Sequence, residues 1–264
     1  MDIGVLVNEA KDENRVYTNL LCDIIRKYKL NVSIITDGDN CSIFDIIMSV
    51  GGDGTLIKTA KIGAKYNKPI VGVNLGKLGF LAKIDKDDIE SYIKRISNGD
   101  YTLQKRKLIN MNIIREGEKV VDDIALNDVV VSRKLVSRGI RINTYIDDMF
   151  INNYFADGVI VSTPLGSTAY SLSAGGPIVD ARADVLVITP ICPHSFSVRP
   201  YIAYCNSEIK ITLDLKPNQH GVLIVDGSES CSVCQDDVVL IKESEKYATF
   251  INFGNENYFD KLTR

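Results

Sequence analysis

The chain has 264 residues, of which 45% are hydrophobic and 25% charged, with a formal net charge of −3 at pH 7. This length allows one large or two modest domains, and the weakly negative charge argues against a protein that depends on nucleic-acid phosphates for its affinity. The sequence has no basic run, secretory signal pattern or apolar stretch of membrane-spanning length, so we expect a cytoplasmic protein with no nucleic-acid or membrane partner.

The first hundred residues alternate strand patterns with amphipathic helix patterns. Strands are predicted at residues 3–7, 32–35, 44–50 and 70–74, and helices at residues 14–28, 55–66 and 87–97. Alternation of this kind predicts a parallel sheet covered by helices. Ligands of such sheets bind beyond the carboxyl ends of the strands.

A glycine-rich turn, Gly-Gly-Asp-Gly-Thr at residues 51–55, joins the third predicted strand to the second predicted helix. Its glycines allow a sharp turn whose N–H groups approach a ligand, and the helix N-terminus adds partial positive charge. Asp53 places a carboxylate in this phosphate-attracting turn. One interpretation is that Asp53 accepts a proton from, or orients, a hydroxyl next to a phosphate. The other is that Asp53 caps the helix while the glycines only form the turn.

The pattern changes near Tyr101. From there to about Lys242, runs rich in Val, Ile, Thr and Tyr alternate with turn signals, which predicts a mainly β second domain. A short helix is predicted near residues 167–174, and a terminal helix over residues 253–264.

Two stretches of this second region could bind a nucleotide. Residues 157–177 are crowded with glycines and small hydroxyl residues, which supply hydrogen-bonding groups without bulk. A tight turn with a small packing helix is the alternative, but the density of hydroxyls favours binding. Asn127 and Asp128 follow a short apolar run and could hold adjacent ribose hydroxyls, although the local sequence favours an ordinary Asx turn.

Several common enzyme motifs are missing from the sequence. There is no P-loop, no G-x-G-x-x-G opening a helix and no G-x-S-x-G elbow. The two histidines are far apart, and Cys231-x-x-Cys234 lacks a second pair of ligands. We therefore predict no protein metal site.

Together these motifs resemble the NAD kinase family. The resemblance rests on residues 51–55, 72–81, 126–128 and 157–177, with support from residues 190–195 and from Asp226-Gly227. The motifs occur in family order and span nearly the whole chain. Gly-Gly-Asp-Gly-Thr alone is shared with lipid kinases, whereas the long hydroxyl-rich stretch is far more specific.

The resemblance implies transfer of the terminal phosphate of ATP, or of polyphosphate, to the 2′-hydroxyl of the adenosine ribose of NAD. It implies a Rossmann-like α/β domain at residues 1–100, to which the chain end at residues 243–264 returns, and a β-rich NAD-binding domain at residues 101–242. It further implies a homodimer or homotetramer, and Mg²⁺ or another divalent cation that accompanies ATP.

The resemblance also assigns roles to individual residues. Asp53 is implied as the proton acceptor, with Gly52 and Gly54 against the substrates and Lys58 and Arg138 as basic ligand contacts. The remaining implied contacts are Asn127 and Asp128 to ribose and adenine, Asp157 to the nicotinamide end, and Thr168, Ala169, Tyr170, Ser171, Leu172 and Ser173 around the adenosine.

Three positions depart from the family pattern. Phe155 stands where many relatives have a basic residue, Leu165 replaces a usual Thr, and Ser228 replaces a common Gln. The first and last of these leave the choice between NAD and NADH open. Two other functions also remain open at this point: a lipid kinase of the diacylglycerol or sphingosine type, and a sensor that binds NAD(P) without turnover.

Overall fold

The computed structural model describes residues 1–76, 81–82, 84–134, 139–195, 197–217 and 219–254. The chain divides into two compact units. The first contains Met1–Lys105 and the chain from Lys246 onwards, and the second contains Arg106–Glu245. The first unit is an α/β structure with a parallel sheet and the second is mainly β, which confirms the predicted fold class.

The described part of the first unit alternates strands and helices. In chain order these are β1 (Asp2–Val7), α1 (Val16–Lys27), β2 (Asn31–Ile35), β3 (Ile46–Gly51), α2 (Asp53–Tyr66), β4 (Pro69–Asn74), β5 (Ile84–Asp85) and α3 (Ile89–Ser97). The strands pair in parallel in the order β2-β1-β3-β4-β5. All four predicted strands and all three predicted helices are confirmed.

Helices cover both faces of this sheet. Leu21 of α1 and Ile93 of α3 are fully buried in one cluster with Val5, Met48 and Val71, so α1 and α3 pack on the same face. Neighbouring residues of β4 point the other way. On that face α2 approaches so closely that a Cβ on its Gly63 would lie 2.5 Å from Cγ2 of Ile70 in β4.

All three helices begin at positions that differ from the prediction, and α3 begins at Ile89 instead of residue 87. α1 begins at Val16, because Asn14 and Arg15 have φ angles of 60° and 54°. α2 begins at Asp53, because Gly52 keeps an extended backbone and occupies the N-cap. Asp53 therefore belongs to the first turn of α2.

The second unit is built from antiparallel strands, of which β6 and β17 are the long ones. The elements that follow α3 are β6 (Thr102–Arg115), β7 (Glu118–Ala125), β8 (Asp128–Arg133), β9 (Ile140–Ile146), β10 (Met149–Ala156), β11 (Gly158–Ser162), α4 (Tyr170–Ser173), β12 (Val185–Ile191), β13 (Tyr201–Tyr204), β14 (Ile209–Asp214), β15 (Gly221–Val225), β16 (Ser228–Val233) and β17 (Val238–Asn252).

Two layers of strands enclose the core of this unit. Six strands form an antiparallel sheet in the order β13-β12-β11-β8-β15-β16. A second layer has the order β10-β9-β14-β17, and β6 and β7 form a hairpin. Val131, Val159 and Leu223 of the six-stranded sheet share one buried cluster with Ile142 and Ile211 of the second layer.

The end of β17 belongs to the first unit. Its Thr249 and Phe250 pair in parallel with Pro69 and Ile70 of β4, and Ile251 is fully buried in the core of that unit. This confirms, up to residue 254, that the chain end returns to the first domain. The predicted terminal helix falls almost entirely on residues 255–264, which lie outside the described residues.

The short helix predicted near residues 167–174 is present but interrupted. A 3₁₀ turn at Leu165–Thr168 and the single turn of α4 are separated by Ala169, whose φ and ψ of −94° and −129° are not helical. No described helix combines the length and the apolar character that crossing a membrane requires.

Candidate functional site

The glycine turn lies at the carboxyl end of β3, at an edge of the parallel sheet. β3 is buried along its whole length and ends at Gly51, whose register partner is Asn74 of β4. Because α2 follows after one residue, Thr55 and Leu56 already donate helical hydrogen bonds to the carbonyl of Gly52, at 3.0 and 3.1 Å. The partially positive N-terminus of α2 therefore faces this edge of the sheet.

Asp53 is held by backbone groups. Its Oδ1 accepts hydrogen bonds from the N–H groups of Leu81 and Ala82, each at 3.3 Å, and the residue is half-buried. It does not cap α2, because the N-cap position belongs to Gly52, which has no side chain to accept a helix N–H. The carboxylate is therefore fixed in direction by the chain after β4.

The three glycines of the turn have different reasons to be glycine. A Cβ on Gly51 would overlap the hydroxyl of Thr55, and one on Gly52 would lie 2.5 Å from Lys11 Nζ. A Cβ on Gly54 would meet nothing within 4 Å, and Gly54 is exposed. Glycine inside a helix costs up to about 1 kcal/mol relative to alanine. Packing against the described residues therefore does not explain a glycine at position 54.

Polar side chains hold the strand ends around this turn. Asn8, after β1, donates its N–H to the carbonyl of Val50 at 2.9 Å and its Nδ2 to the hydroxyl of Thr55 at 3.2 Å. Asn74, which is 2% exposed, bonds the backbone of Gly76 through both its oxygen and its nitrogen. These bonds leave the turn little freedom to change shape.

Of the two predicted basic contacts, only Lys58 lies among the residues that the structure describes. Lys58 lies four residues after Gly54, on the same face of α2. Its ammonium pairs with Asp37 at 2.9 Å, and both side chains are more than half exposed. Exposed pairs of this kind are weak, so a ligand could compete for Lys58. Arg138 and residues 77–80 of the predicted motif lie outside the described residues.

In the second unit, Asp226 organises the predicted nucleotide contacts. Its carboxylate accepts the backbone N–H groups of Leu126, Asn127 and Asp128 at 3.0, 2.7 and 3.2 Å. Three consecutive N–H groups thus converge on one side chain. The turn before β8 has a fixed direction as a result.

Asp226 and Gly227 form the tight turn between β15 and β16, with φ angles of +49° and +80°. This pair is one of the turn signals of the β-rich region, and the turn is confirmed, because Asp-Gly between two strand patterns is a strong hairpin signal. It could not have shown which backbone groups the carboxylate binds.

Asp128 has an unusual environment. It is only 4% exposed. Burial, with the negative charge of Asp226 as a second cause, raises the pKa of Asp128 to about 7. A carboxyl with this pKa can donate a hydrogen bond as well as accept one near neutral pH.

The hydroxyl-rich segment contacts Asn127 and Leu126 directly. Thr163 donates its N–H to the carbonyl of Asn127 at 2.9 Å and its hydroxyl to the carbonyl of Leu126 at 2.7 Å. A Cβ on Gly166 would overlap the backbone of Asn127. The predicted binding stretches at residues 126–128 and 157–177 are therefore joined by hydrogen bonds and close backbone packing.

Within residues 168–173, some side chains form hydrogen bonds inside the protein and others are exposed to solvent. Ser171 is buried, and its hydroxyl bonds the hydroxyl of Thr189 at 2.8 Å, while Thr168 donates to the carbonyl of Leu165 at 3.2 Å. Ala169 is half-buried. Tyr170 and Leu172 are 46% and 39% exposed, and Ser173 is exposed too. The exposed members are the ones free to contact a ligand.

Asp157 lies at the other end of the same strand pair. It forms a two-point salt bridge with Arg133, with both N–O distances at 3.0 Å. In the antiparallel register, Ser162 faces Asp128 while Gly158 faces Ser132. At about 3.3 Å per residue, Arg133 and Asp157 are roughly 16 Å from Asp128 along the strands.

The described residues contain no group of three or more His, Cys, Asp and Glu side chains placed to hold a metal ion. All six cysteines are unpaired.

Comparison with known proteins gives concordant matches. Residues 3–101 match the ATP-NAD kinase N-terminal domain, and residues 126–253 match the ATP-NAD kinase C-terminal domain. An NAD kinase of Acetivibrio thermocellus is 40% identical over 276 residues, covering 99% of this chain and 96% of that protein.

Two solved structures are also similar. The NAD kinase from Archaeoglobus fulgidus in complex with ATP has a TM-score of 0.81 at 25% identity, covering 100% of this chain and 97% of that one. Yeast NADH kinase complexed with NADH has a TM-score of 0.87 at 23% identity, covering 99% and 85%. The latter likeness concerns the fold alone.

Proposed function

The chain belongs to the NAD kinase family, and we propose that Asp53 is the proton acceptor of its reaction. The enzyme transfers the terminal phosphate of ATP to the 2′-hydroxyl of the adenosine ribose of NAD, which gives NADP. The observation that carries the proposal for Asp53 is its half-buried carboxylate, held by two backbone N–H groups in the first turn of α2.

The chemistry suits a positioned aspartate. In most analyses the transition state of phosphoryl transfer is loose, so the proton of the attacking hydroxyl leaves late and positioning matters more than base strength. Asp53 accepts that proton as the bond from the ribose oxygen to phosphorus forms and the bond from phosphorus to the leaving ADP oxygen breaks. Gly54 leaves the space in front of the turn open for the reacting groups.

Phosphate binding falls to the glycine turn. Gly52 and Gly54 present backbone N–H groups at the N-terminus of α2, where partial positive charge favours anions. Mg²⁺ or another divalent cation would accompany ATP and would neutralise part of the charge of the donor phosphates. The absence of a carboxylate cluster among the described residues supports a substrate-borne metal.

Nucleotide recognition falls to the second unit. Asn127 and Asp128 contact the ribose and the adenine, and the exposed members of residues 168–173 line the adenosine. Asp157, held by Arg133, contacts the nicotinamide end. The separation of roughly 16 Å along β8 supports this assignment, because NAD has two nucleotides that can bind in an extended form.

We also propose a homodimer or homotetramer that acts in the cytoplasm. Family resemblance supports both. The edge strand β13 supports assembly further, because its Tyr201, Ile202 and Tyr204 are 46%, 52% and 61% exposed. Light scattering on the purified protein would give the number of subunits.

The experiment that tests the function is an enzyme-coupled NADP assay with NAD, ATP and Mg²⁺ on the wild type and on Asp53→Asn. Asparagine keeps the oxygen that Leu81 and Ala82 bind, but it cannot accept the proton. We expect kcat to fall about 10²- to 10⁴-fold, the usual contribution of a general base. NAD affinity, measured by calorimetry, should stay within about twofold, since Asp53 contributes to turnover rather than to ground-state binding.

Asp23→Asn is the matched control, because Asp23 is an exposed aspartate of α1 in the same unit. Turnover of Asp53→Asn equal to that of this control would remove Asp53 from the mechanism. A wild type that binds NAD but makes no NADP, with ATP or with polyphosphate, would favour a sensor instead.

A further inference from the structure

A lysine outside the motifs discussed so far lies against the glycine turn. A Cβ built on Gly52 would be 2.5 Å from Nζ of Lys11, 3.7 Å from its Cε and 4.0 Å from its Cδ. The ammonium group is thus the part of Lys11 nearest to Gly52. It reaches the start of α2 because residue 52 has no side chain.

The backbone of Lys11 is tied to the same turn. Lys11 and Asp12 both donate their N–H groups to the carbonyl of Asn8 at 3.0 Å. Asn8 in turn is bonded to Val50 and Thr55 on either side of the glycines. Lys11 therefore starts from a loop that cannot move independently of the turn.

The other side of Lys11 is held by α1. Asp12 is 2% exposed, and its carboxylate accepts the N–H groups of Tyr17 and Thr18 at 3.0 and 2.8 Å. Asp12 thereby provides an acceptor for N–H groups in the first turn of α1. Because the hydrogen bonds of Asn8 and Asp12 hold the backbone on both sides of Lys11, a ligand has to position only the flexible side chain of Lys11.

Among the described residues, Lys11 differs from Lys58 in having no ion-pair partner. Lys58 pairs with Asp37. Across the residues that the structure describes, no carboxylate lies within ion-pair distance of Lys11 Nζ. An exposed ammonium group beside a helix N-terminus is placed to meet an anion.

We propose that Lys11 binds the phosphate chain of the phosphoryl donor. The inference rests on the proposed function, which brings a polyanion to a turn that already carries the negative charge of Asp53. The helix N-terminus supplies only about half an elementary charge, and the full positive charge of Lys11 adds to it at the start of α2. Lysine is a common phosphate ligand that acts as a point charge, and its hydrogen bonds to phosphate are charge-assisted.

The test compares Lys11→Met with Lys11→Arg and with Lys27→Met. Methionine keeps the length of the side chain without its charge, and arginine restores the charge. Lys27, on α1, pairs with Glu90 and controls for loss of one positive charge from the same unit. For Lys11→Met we expect kcat/KM for ATP to fall about ten- to a hundredfold, the range of a charged hydrogen bond, with KM for NAD within about twofold.

Lys11→Arg should retain activity within about fivefold, and Lys27→Met should match the wild type. Unchanged kinetics in Lys11→Met would overturn the proposal. An increase in KM for NAD without one for ATP would also overturn it, because the phosphates bound would then be those of the acceptor.

Calorimetric titration of ATP into each variant, without NAD, keeps the test independent of turnover. Weaker binding to Lys11→Met than to Lys27→Met is expected, at equal melting temperatures. An inactive wild type would count against the proposed function alone, since this binding comparison would still decide the role of Lys11. Equal ATP affinities of the two variants would refute the proposal that Lys11 binds the phosphates of the donor.

Discussion

At the scale of single residues, Asp128 links the candidate nucleotide site to pH. The ordinary pKa of this carboxyl is 3.8, and in the folded chain burial, helped by the charge of Asp226, raises the pKa to about 7. Below pH 3.8 the folded and unfolded chains both hold the proton. Between these pKa values the unfolded chain releases the proton while the folded chain retains it. The stability that Asp128 contributes is therefore lost as pH rises, and the loss is complete above pH 7.

We predict that Asp128→Asn removes this dependence. Between pH 5 and pH 8 the free energy of unfolding of the variant, relative to the wild type, should increase by about 2 to 3 kcal/mol. Denaturant unfolding at the two pH values measures it. Asp122→Asn, an exposed change on β7, should track the wild type. If Asp128→Asn shows the same pH dependence as this control, the carboxyl does not titrate near neutrality.

At the scale of elements, the hairpin turn between β15 and β16 holds the backbone at the start of β8. Its residue Asp226 binds backbone groups that are 98 to 100 positions away in the sequence. The turn therefore acts on Asn127 and Asp128 without contacting the substrate itself in the proposed arrangement. Asp226 is a positioning residue.

We expect Asp226→Asn to weaken NAD binding more than folding. Asparagine tolerates the positive φ of this position, so the hairpin should form. Its amide has one oxygen instead of two, so some of the three N–H groups lose their acceptor. KM for NAD should rise about tenfold, the effect of one or two weakened hydrogen bonds, with KM for ATP within about twofold.

Loss of the Asp226 charge should also lower the pKa of Asp128, which a merely structural change would leave in place. The pH dependence of KM for NAD reports that shift. Asp236→Asn, at an exposed position in the same unit, serves as the control. Equal effects on the two substrates would argue that Asp226 only stabilises the fold.

At the scale of the whole molecule, the chain ends in the unit where it began. β17 leaves the second unit and delivers Ile251 to the core of the first, where it is fully buried beside residues such as Val71 and Ile93. The first unit therefore depends on residues that lie beyond the entire second unit in the sequence.

Ile251→Ala should destabilise the protein by about 2 to 5 kcal/mol, since truncation leaves a cavity in a closely packed core. Tyr247→Ala, at a position 38% exposed on the same strand, should cost much less. Chemical denaturation of both variants measures the difference. Equal costs would mean that the last part of β17 contributes little to the core.

Local patterns along the chain were enough to predict the classes of structure and the main candidates for chemistry. The alternation of apolar positions, with periods near two and 3.6, predicted the strands and helices of the first unit and the β character of the second. Asp53, Asn127 and Asp128 could be nominated because each stands in a short motif whose local geometry is encoded by its neighbours in the chain. Helix starts were less predictable, as Asp53 shows by lying inside α2.

The way in which distant residues act on those candidates depends on the packed fold. It placed Lys11 against Gly52, Asp226 against Asn127, and the backbone of Gly166 against that of Asn127. It also enclosed Asp128 in surroundings that raise its pKa. None of this follows from local pattern, because such contacts depend on strand register and packing. Periodicity encodes which face of a strand is buried, but not which residue meets it.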